Sequence, residues 1–143
     1  MKVKIDIDCD ADGVIRHLQA MQARAGNFAP VFRDARTQLE KANAENFSTG
    51  GLPVGGWDPR KRDYAWPIMR RTGRLFSSLT NLRGAPNVIT DDYAQFGTNV
   101  EYAKFHQYGT EKMPARKIVF NPTGFSQETA RKALRWVTRG DLP

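Results

Sequence analysis

The chain has little sulfur, few histidines and no long apolar run. Of its 143 residues one is cysteine, Cys9, and two are histidine, His17 and His106. A lone cysteine rules out an intrachain disulfide and any cysteine metal cluster, and two histidines without a cysteine pair make a poor zinc site. This fits a reducing compartment such as the cytoplasm. No apolar run approaches the length of a membrane span, and the first residues alternate charge where a signal peptide has a hydrophobic block. No membrane partner is expected. No segment repeats. At this length one domain, 1–143, is the expectation, and its core needs no covalent or metal staple.

What is present is basic charge, unevenly placed. The formal net charge is +7. Residues 1–47 balance seven basic against seven acidic side chains, whereas residues 48–84 carry seven basic and two acidic. The surplus sits in Arg60, Lys61, Arg62, Arg70, Arg71, Arg74 and Arg83. Such a surplus attracts phosphate backbones or an acidic protein face, or it simply keeps a surface solvated. Arg70, Arg71 and Arg74 straddle the start of an expected helix, where the helix dipole favours negative charge. They therefore gain elsewhere, from phosphate or from an acidic partner, or else solvation makes the cost small.

Val3, Ile5 and Ile7 alternate with charged residues and predict a strand over 2–8. Asp12 is the expected cap of a helix with Ile15, Leu18 and Ala25 on one face, ended by Gly26. Pro30 opens a second helix, with Val31, Ala35, Leu39 and Ala42 at helical spacing, running to about Phe47. Residues 48–71 hold four glycines and three prolines with Trp57, Tyr64 and Trp66 among them. A connection this long is functional or ordered by a partner, and its large aromatics have surface to bury. It reads as a loop that a neighbouring subunit helps to order.

Thr72 is the expected cap of a short helix carrying Leu75, Leu79 and Leu82. Residues 86–90 and 93–98 read as a hairpin turning at Asp91-Asp92, and 117–120 as a further strand. Asn99 is the expected cap of an aromatic helical turn at 100–108. Ser126 is the expected cap of a last helix with Ala130, Ala133, Leu134 and Val137 as its apolar face. The expected fold is therefore α+β, with two N-terminal helices and a C-terminal helix packed on a small, mainly antiparallel sheet.

The catalytic motifs fail one by one. Gly50-Gly51 and Gly55-Gly56 lack the Gly-Lys-Thr or Gly-Lys-Ser of a phosphate loop, and no strand feeds them into a helix. Asp6, Asp8, Asp10 and Asp12 lack the placed glycine and distal glutamate of a calcium loop. Nothing in the spelling links Cys9 or His17 to His106 as nucleophile and base. No cofactor is expected. A small enzyme using His106 with an acidic partner remains a rival reading, as does a nucleic-acid-binding module without sequence preference; no base-reading motif is present.

The most distinctive spelling is Tyr102-Ala103-Lys104-Phe105-His106-Gln107-Tyr108-Gly109-Thr110, followed by Met113-Pro114-Ala115-Arg116. Upstream stand Thr72-Gly73-Arg74-Leu75 and Ser78-Leu79-Thr80. Tyr102, Phe105 and His106 share neighbouring faces of one turn, and Gly109 supplies its stop. In this order and spacing the segments resemble the phage virion morphogenesis (tail-completion) family and, more broadly, are similar to head–tail connector proteins of tailed phages. The likeness spans roughly residues 30–120. It departs after Arg116, where Lys117 to Pro122 stand between the motif and the final helix.

What the resemblance implies is a non-enzymatic virion protein, assembled in the host cytoplasm and residing in the neck at the head-proximal end of the tail. It implies a ring of the protein's own copies, commonly six, against a head-side connector and a tail-tube or terminator protein. Double-stranded DNA passes through the ring and is sensed only by backbone charge. A tail terminator is the alternative within the same likeness. On this reading Trp57, Tyr64, Trp66, Tyr102, Phe105 and Tyr108 are the candidate subunit contacts. Arg60, Lys61, Arg62, Arg70, Arg71 and Arg74 are the candidates for the DNA channel or an acidic partner.

Overall fold

The computed structural model describes residues 10–84 and 86–142. The strand expected over 2–8 lies outside them. The described elements run α1 (Ala11–Ala25), α2 (Ala29–Ser48), a 3-10 turn (Leu52–Val54), α3 (Arg74–Thr80), β1 (Val88–Ile89), β2 (Ala94–Gln95), α4 (Ala103–Tyr108) and α5 (Phe125–Arg139). The fold class is α+β, as expected.

Several helix starts differ from expectation by a few residues. Asp10, not Asp12, caps α1, its Oδ1 accepting from the Gly13 N–H at 2.8 Å. Asp12 instead lies in the first turn, where its charge suits the dipole. Gly73, Tyr102 and Gly124 stand at the caps of α3, α4 and α5, and no side chain caps these three ends. The expected cap Thr72 only approaches the Arg74 N–H at 3.4 Å, and Ser126 bonds Asn121. Gly73 and Gly124 take left-handed backbone, which glycine adopts without the strain a Cβ would add.

The core gathers around the C-terminal half of α2. Phe47, Trp57, Leu75, Leu79, Val100, Ala103 and Ile118 form one buried cluster. Phe47 sits between Trp57 and Phe76, each edge-to-face at 5.4 Å, a favoured aromatic arrangement. Two buried asparagines on α2 tie it to its neighbours. Asn43 donates to the Leu79 carbonyl at 2.8 Å and Asn46 to the Lys117 carbonyl at 3.1 Å. Leu82, just past α3, is buried, and its N–H donates to Glu40 of α2 at 2.9 Å.

The sheet is smaller than the sequence suggested. Among the described residues it is one antiparallel pair, Val88 opposite Gln95 and Ile89 opposite Ala94. The ladder stops early because a side chain replaces it: the Gly97 N–H is taken by Asn87 Oδ1 at 2.8 Å. Residues 117–120 form no strand. Gln107 takes the place of a neighbouring strand, its Oε1 accepting from the N–H groups of Ile118 and Val119, both at 2.9 Å. Its Nε2 donates to the Val119 carbonyl at 2.9 Å, and the Lys117 carbonyl accepts from Trp57 Nε1 as well as Asn46. Backbone groups satisfied this way need no ladder.

The outer helices also pack differently than expected. α1 and α5 lie on each other and α5 on α2, rather than on the sheet. Arg24 near the end of α1 donates through Nε to the Val137 carbonyl at 2.9 Å, and Trp136 Nε1 donates to the Asn27 carbonyl at 2.7 Å. Lys132 pairs with Asp34 of α2 at 2.7 Å. Trp136 and Lys132 thus take the contact face of α5, and Leu134, expected in its apolar stripe, is exposed.

Candidate functional site: an arginine and aromatic groove

The first half of the 48–71 connection is ordered by its own chain. Gly51 packs so closely on the Trp57 indole that an added Cβ would lie 2.3 Å from the ring. Trp57 itself is only 8% exposed. The sequence offered Trp57 as a subunit contact; in the folded chain its indole lies in the core, donating to the Lys117 carbonyl and packing on Phe47. Arg116, also buried, holds the next stretch, its Nε donating to the Asp58 carbonyl at 3.0 Å and its Nη2 to Pro59 at 3.2 Å. The Met-Pro-Ala-Arg segment therefore anchors the loop across nearly sixty residues of chain.

Beyond that anchor the loop turns outward and forms one wall of an open groove of about 980 Å³. Arg60, Tyr64, Trp66, Arg71, Arg74 and Tyr102 all line it. Residues that the sequence offered in two separate lists, aromatic and basic, thus share one surface. Tyr64 and Trp66 stack at 4.8 Å with their planes 21° apart. Arg60 lies 5.4 Å over the Tyr64 ring and Arg71 lies 5.6 Å over Trp66, so a stacked pair is flanked by two cations. Lys61 and Arg62 line a smaller adjoining hollow.

Three expected residues fall elsewhere. Arg70 turns from the groove onto the Phe76 face at 4.0 Å, where it shields the core. Phe105 and Tyr108 are exposed, Tyr108 at 81%, but do not line the groove. Met69, with a left-handed φ of 66°, forms part of the wall; such backbone in a side-chain-bearing residue is uncommon outside functional sites.

The far wall comes from α4 and the segment after it: Tyr102, His106, Met113 and Arg116. His106 and Arg116 were visible in the distinctive spelling, but their place in a wall was not. The left-handed φ of 74° at Gly109 folds the chain back, so the Arg116 N–H meets the His106 carbonyl at 2.6 Å. A Cβ on Gly109 would lie 2.7 Å from the Ala115 nitrogen. Burial, and then the Arg116 charge, push the His106 imidazole below its ordinary basicity. Its Nδ1 is buried and meets no polar partner among the described residues.

Among the described residues the lining contains no Asp or Glu. Among these lining residues His106 therefore has no carboxylate to orient it for acid–base chemistry. Among the described residues no three His, Cys, Asp or Glu side chains converge as metal ligands. The groove offers flat aromatic faces rimmed by fixed cations, which suits binding of a surface both apolar and acidic.

The model of the phage virion morphogenesis family matches residues 9–138. The chain belongs to that family. The match covers most of the chain and extends beyond the stretch that carried the resemblance. A relative is the Mu-like prophage FluMu G protein 2 of Haemophilus influenzae, 28% identical over 116 residues that cover 81% of this chain and 77% of the relative. No solved structure matches the chain. Membership assigns the chain to phage particle assembly. No helix among the described residues is long and apolar enough to cross a membrane.

Proposed function

We propose that the chain is a non-enzymatic subunit of the neck of a tailed phage, where it completes the tail and joins it to the head. Copies stand in a ring, six being the number the family likeness implies, around the channel through which double-stranded DNA passes. Each subunit offers two unlike surfaces to its neighbours, and such a contact closes into a ring when its rotation does. The neighbouring layers are a head-side connector and a tail-tube or terminator protein.

The observation that carries this reading is the Arg60–Tyr64–Trp66–Arg71 ladder on an open groove. It places large aromatics and cations together, with no Asp or Glu among the described lining residues. Electron microscopy of particles assembled without the protein tests it. Tails of normal length that fail to attach to heads are expected. Overlong tails would make the chain a terminator instead, and intact particles would refute a role in joining. The basic loop favours one second reading, a module that binds duplex DNA by charge alone. It requires the isolated monomer to bind duplex with a steep salt dependence, whereas the neck reading expects weak binding before assembly.

A further inference from the structure

The groove has a counterpart on the same chain. Helix α1 is attached at its C-terminal end, where Arg24, Asn27 and Trp136 bind it to α5. Its first nine residues, 11–19, bury nothing, and every one except Gly13 is exposed. Val14, Ile15 and Leu18 lie on one helical stripe and are 52%, 51% and 56% exposed, and Arg16 falls on the opposite face. The stripe continues to Met21, which is half-buried, so the body of the protein covers one end of the stripe and leaves the other uncovered. Beside the uncovered end stand Asp10 and Asp12.

This end of α1 is apolar and acidic; the groove is aromatic and basic. No residue of α1 lines the groove, so the two surfaces are distinct on one chain. We propose that the first two turns of α1 from one copy dock in the arginine and aromatic groove of the next. Val14, Ile15 and Leu18 cover Tyr64, Trp66, Tyr102 and Met113. Asp10 and Asp12 meet Arg60, Arg71 and Arg74 at the rim. This is a helix laid in a groove, read by apolar anchors three and four residues apart, with charge fixing its direction. The contact is heterologous, as a ring requires. The inference rests on the ring reading and names the surfaces that make the ring.

The test uses the full chain with Cys9→Ser, Leu18→Cys and Trp66→Cys, purified alone and from particles, then oxidised. A ladder of disulfide-linked multimers that requires both new cysteines is expected. A chain that assembles by light scattering, or is recovered in particles, yet gives no ladder overturns the docking and leaves the ring reading standing. A chain monomeric in solution at every concentration and absent from particles overturns both.

A second pair of variants keeps the answer independent of the introduced thiols. Leu18→Asp breaks the helix side and Arg71→Glu with Arg74→Glu breaks the groove side. Each alone is expected to weaken self-association by about 100-fold or more, the size of a lost anchor in a contact of this kind. Mixed in equal amounts, they are expected to form one-to-one pairs and no larger species, because one intact helix meets one intact groove. Wild-type assembly by either variant, or no pairing in the mixture, contradicts the docking. So does a groove variant that loses duplex DNA binding but assembles normally.

Discussion

α1 with α5 and α2 with α3 are both pairs of helices joined through side chains, yet they differ in what they bury. α1 and α5 each run fifteen residues, and neither contains a buried residue. The pair α2 and α3 contributes Phe47, Leu75 and Leu79 to a core that also takes Trp57, Val100 and Ile118. The outer pair is held together by hydrogen bonds at its edge, Arg24 to Val137 and Trp136 to Asn27, and the Lys132–Asp34 ion pair ties α5 to α2. An apolar stripe on a helix therefore forecasts the helix more reliably than its burial. On the docking proposed above, the stripe left bare at one end of α1 is the part that meets another copy.

Substitutions break or sharpen this contrast. The largest effect is expected at Trp57→Ala, which opens a cavity beside Phe47 and leaves the Lys117 carbonyl one donor short. A loss of about 3–5 kcal/mol in denaturant unfolding is expected. Gly109→Ala follows. It forces a side chain into left-handed backbone and against the Ala115 nitrogen, with an expected loss of at least ~1–3 kcal/mol in the same measurement. Gln107→Leu removes the bonds that hold residues 118–119 and leaves the N–H of buried Ile118 without its acceptor, at a cost of about 1–3 kcal/mol. Gln107→Glu keeps the acceptor and loses the donor, so it is expected to fall between wild type and Gln107→Leu.

His106 sharpens the contrast through pH. Folding buries the imidazole beside Arg116 and opposite Tyr102, and lowers its basicity from the ordinary value of 6.5. The unfolded chain therefore binds the extra proton more readily. The stability this group contributes is complete above about pH 6.5 and is lost as pH falls toward the lower folded value. Stability measured from about pH 7 down to pH 5 should fall less steeply in His106→Gln than in wild type. The smallest effect is expected at Leu18→Asp. With its side chain already in water, unfolding should shift by less than ~0.5 kcal/mol, although assembly is lost.

Much of the helical framework was legible in the sequence. Pro30, Gly26 and the spacing of Val31 and Ala35 marked α2 and its start, and Leu75, Leu79 and Leu82 all proved buried. The family likeness was legible in the Tyr102–Arg116 spelling because its glycine and arginine do work that other residues do poorly. Gly109 accepts a backbone that resists a Cβ, and Arg116 reaches two loop carbonyls at once.

The sheet was overread for a physical reason. Runs such as Lys117–Phe120 have the right composition for a strand, but a glutamine eleven residues away satisfies their backbone before a strand can. Spacing rules carry no record of such long-range side-chain bonds. The burial of Trp57 was hidden in the same way, since its partners, Phe47 and Lys117, lie in two different parts of the chain. The groove was half legible: both sets of residues were named, and only the folded chain brings them to one surface.

The groove is proposed to serve assembly, whereas the residues around Phe47 form the buried core. A chain carrying Tyr64→Ser with Trp66→Ser measures this most directly, scored for unfolding in solution and for head–tail joining in particles. Unfolding close to wild type together with heads and tails left apart is the predicted result. Normal joining by a chain that has lost its stacked pair would contradict the account.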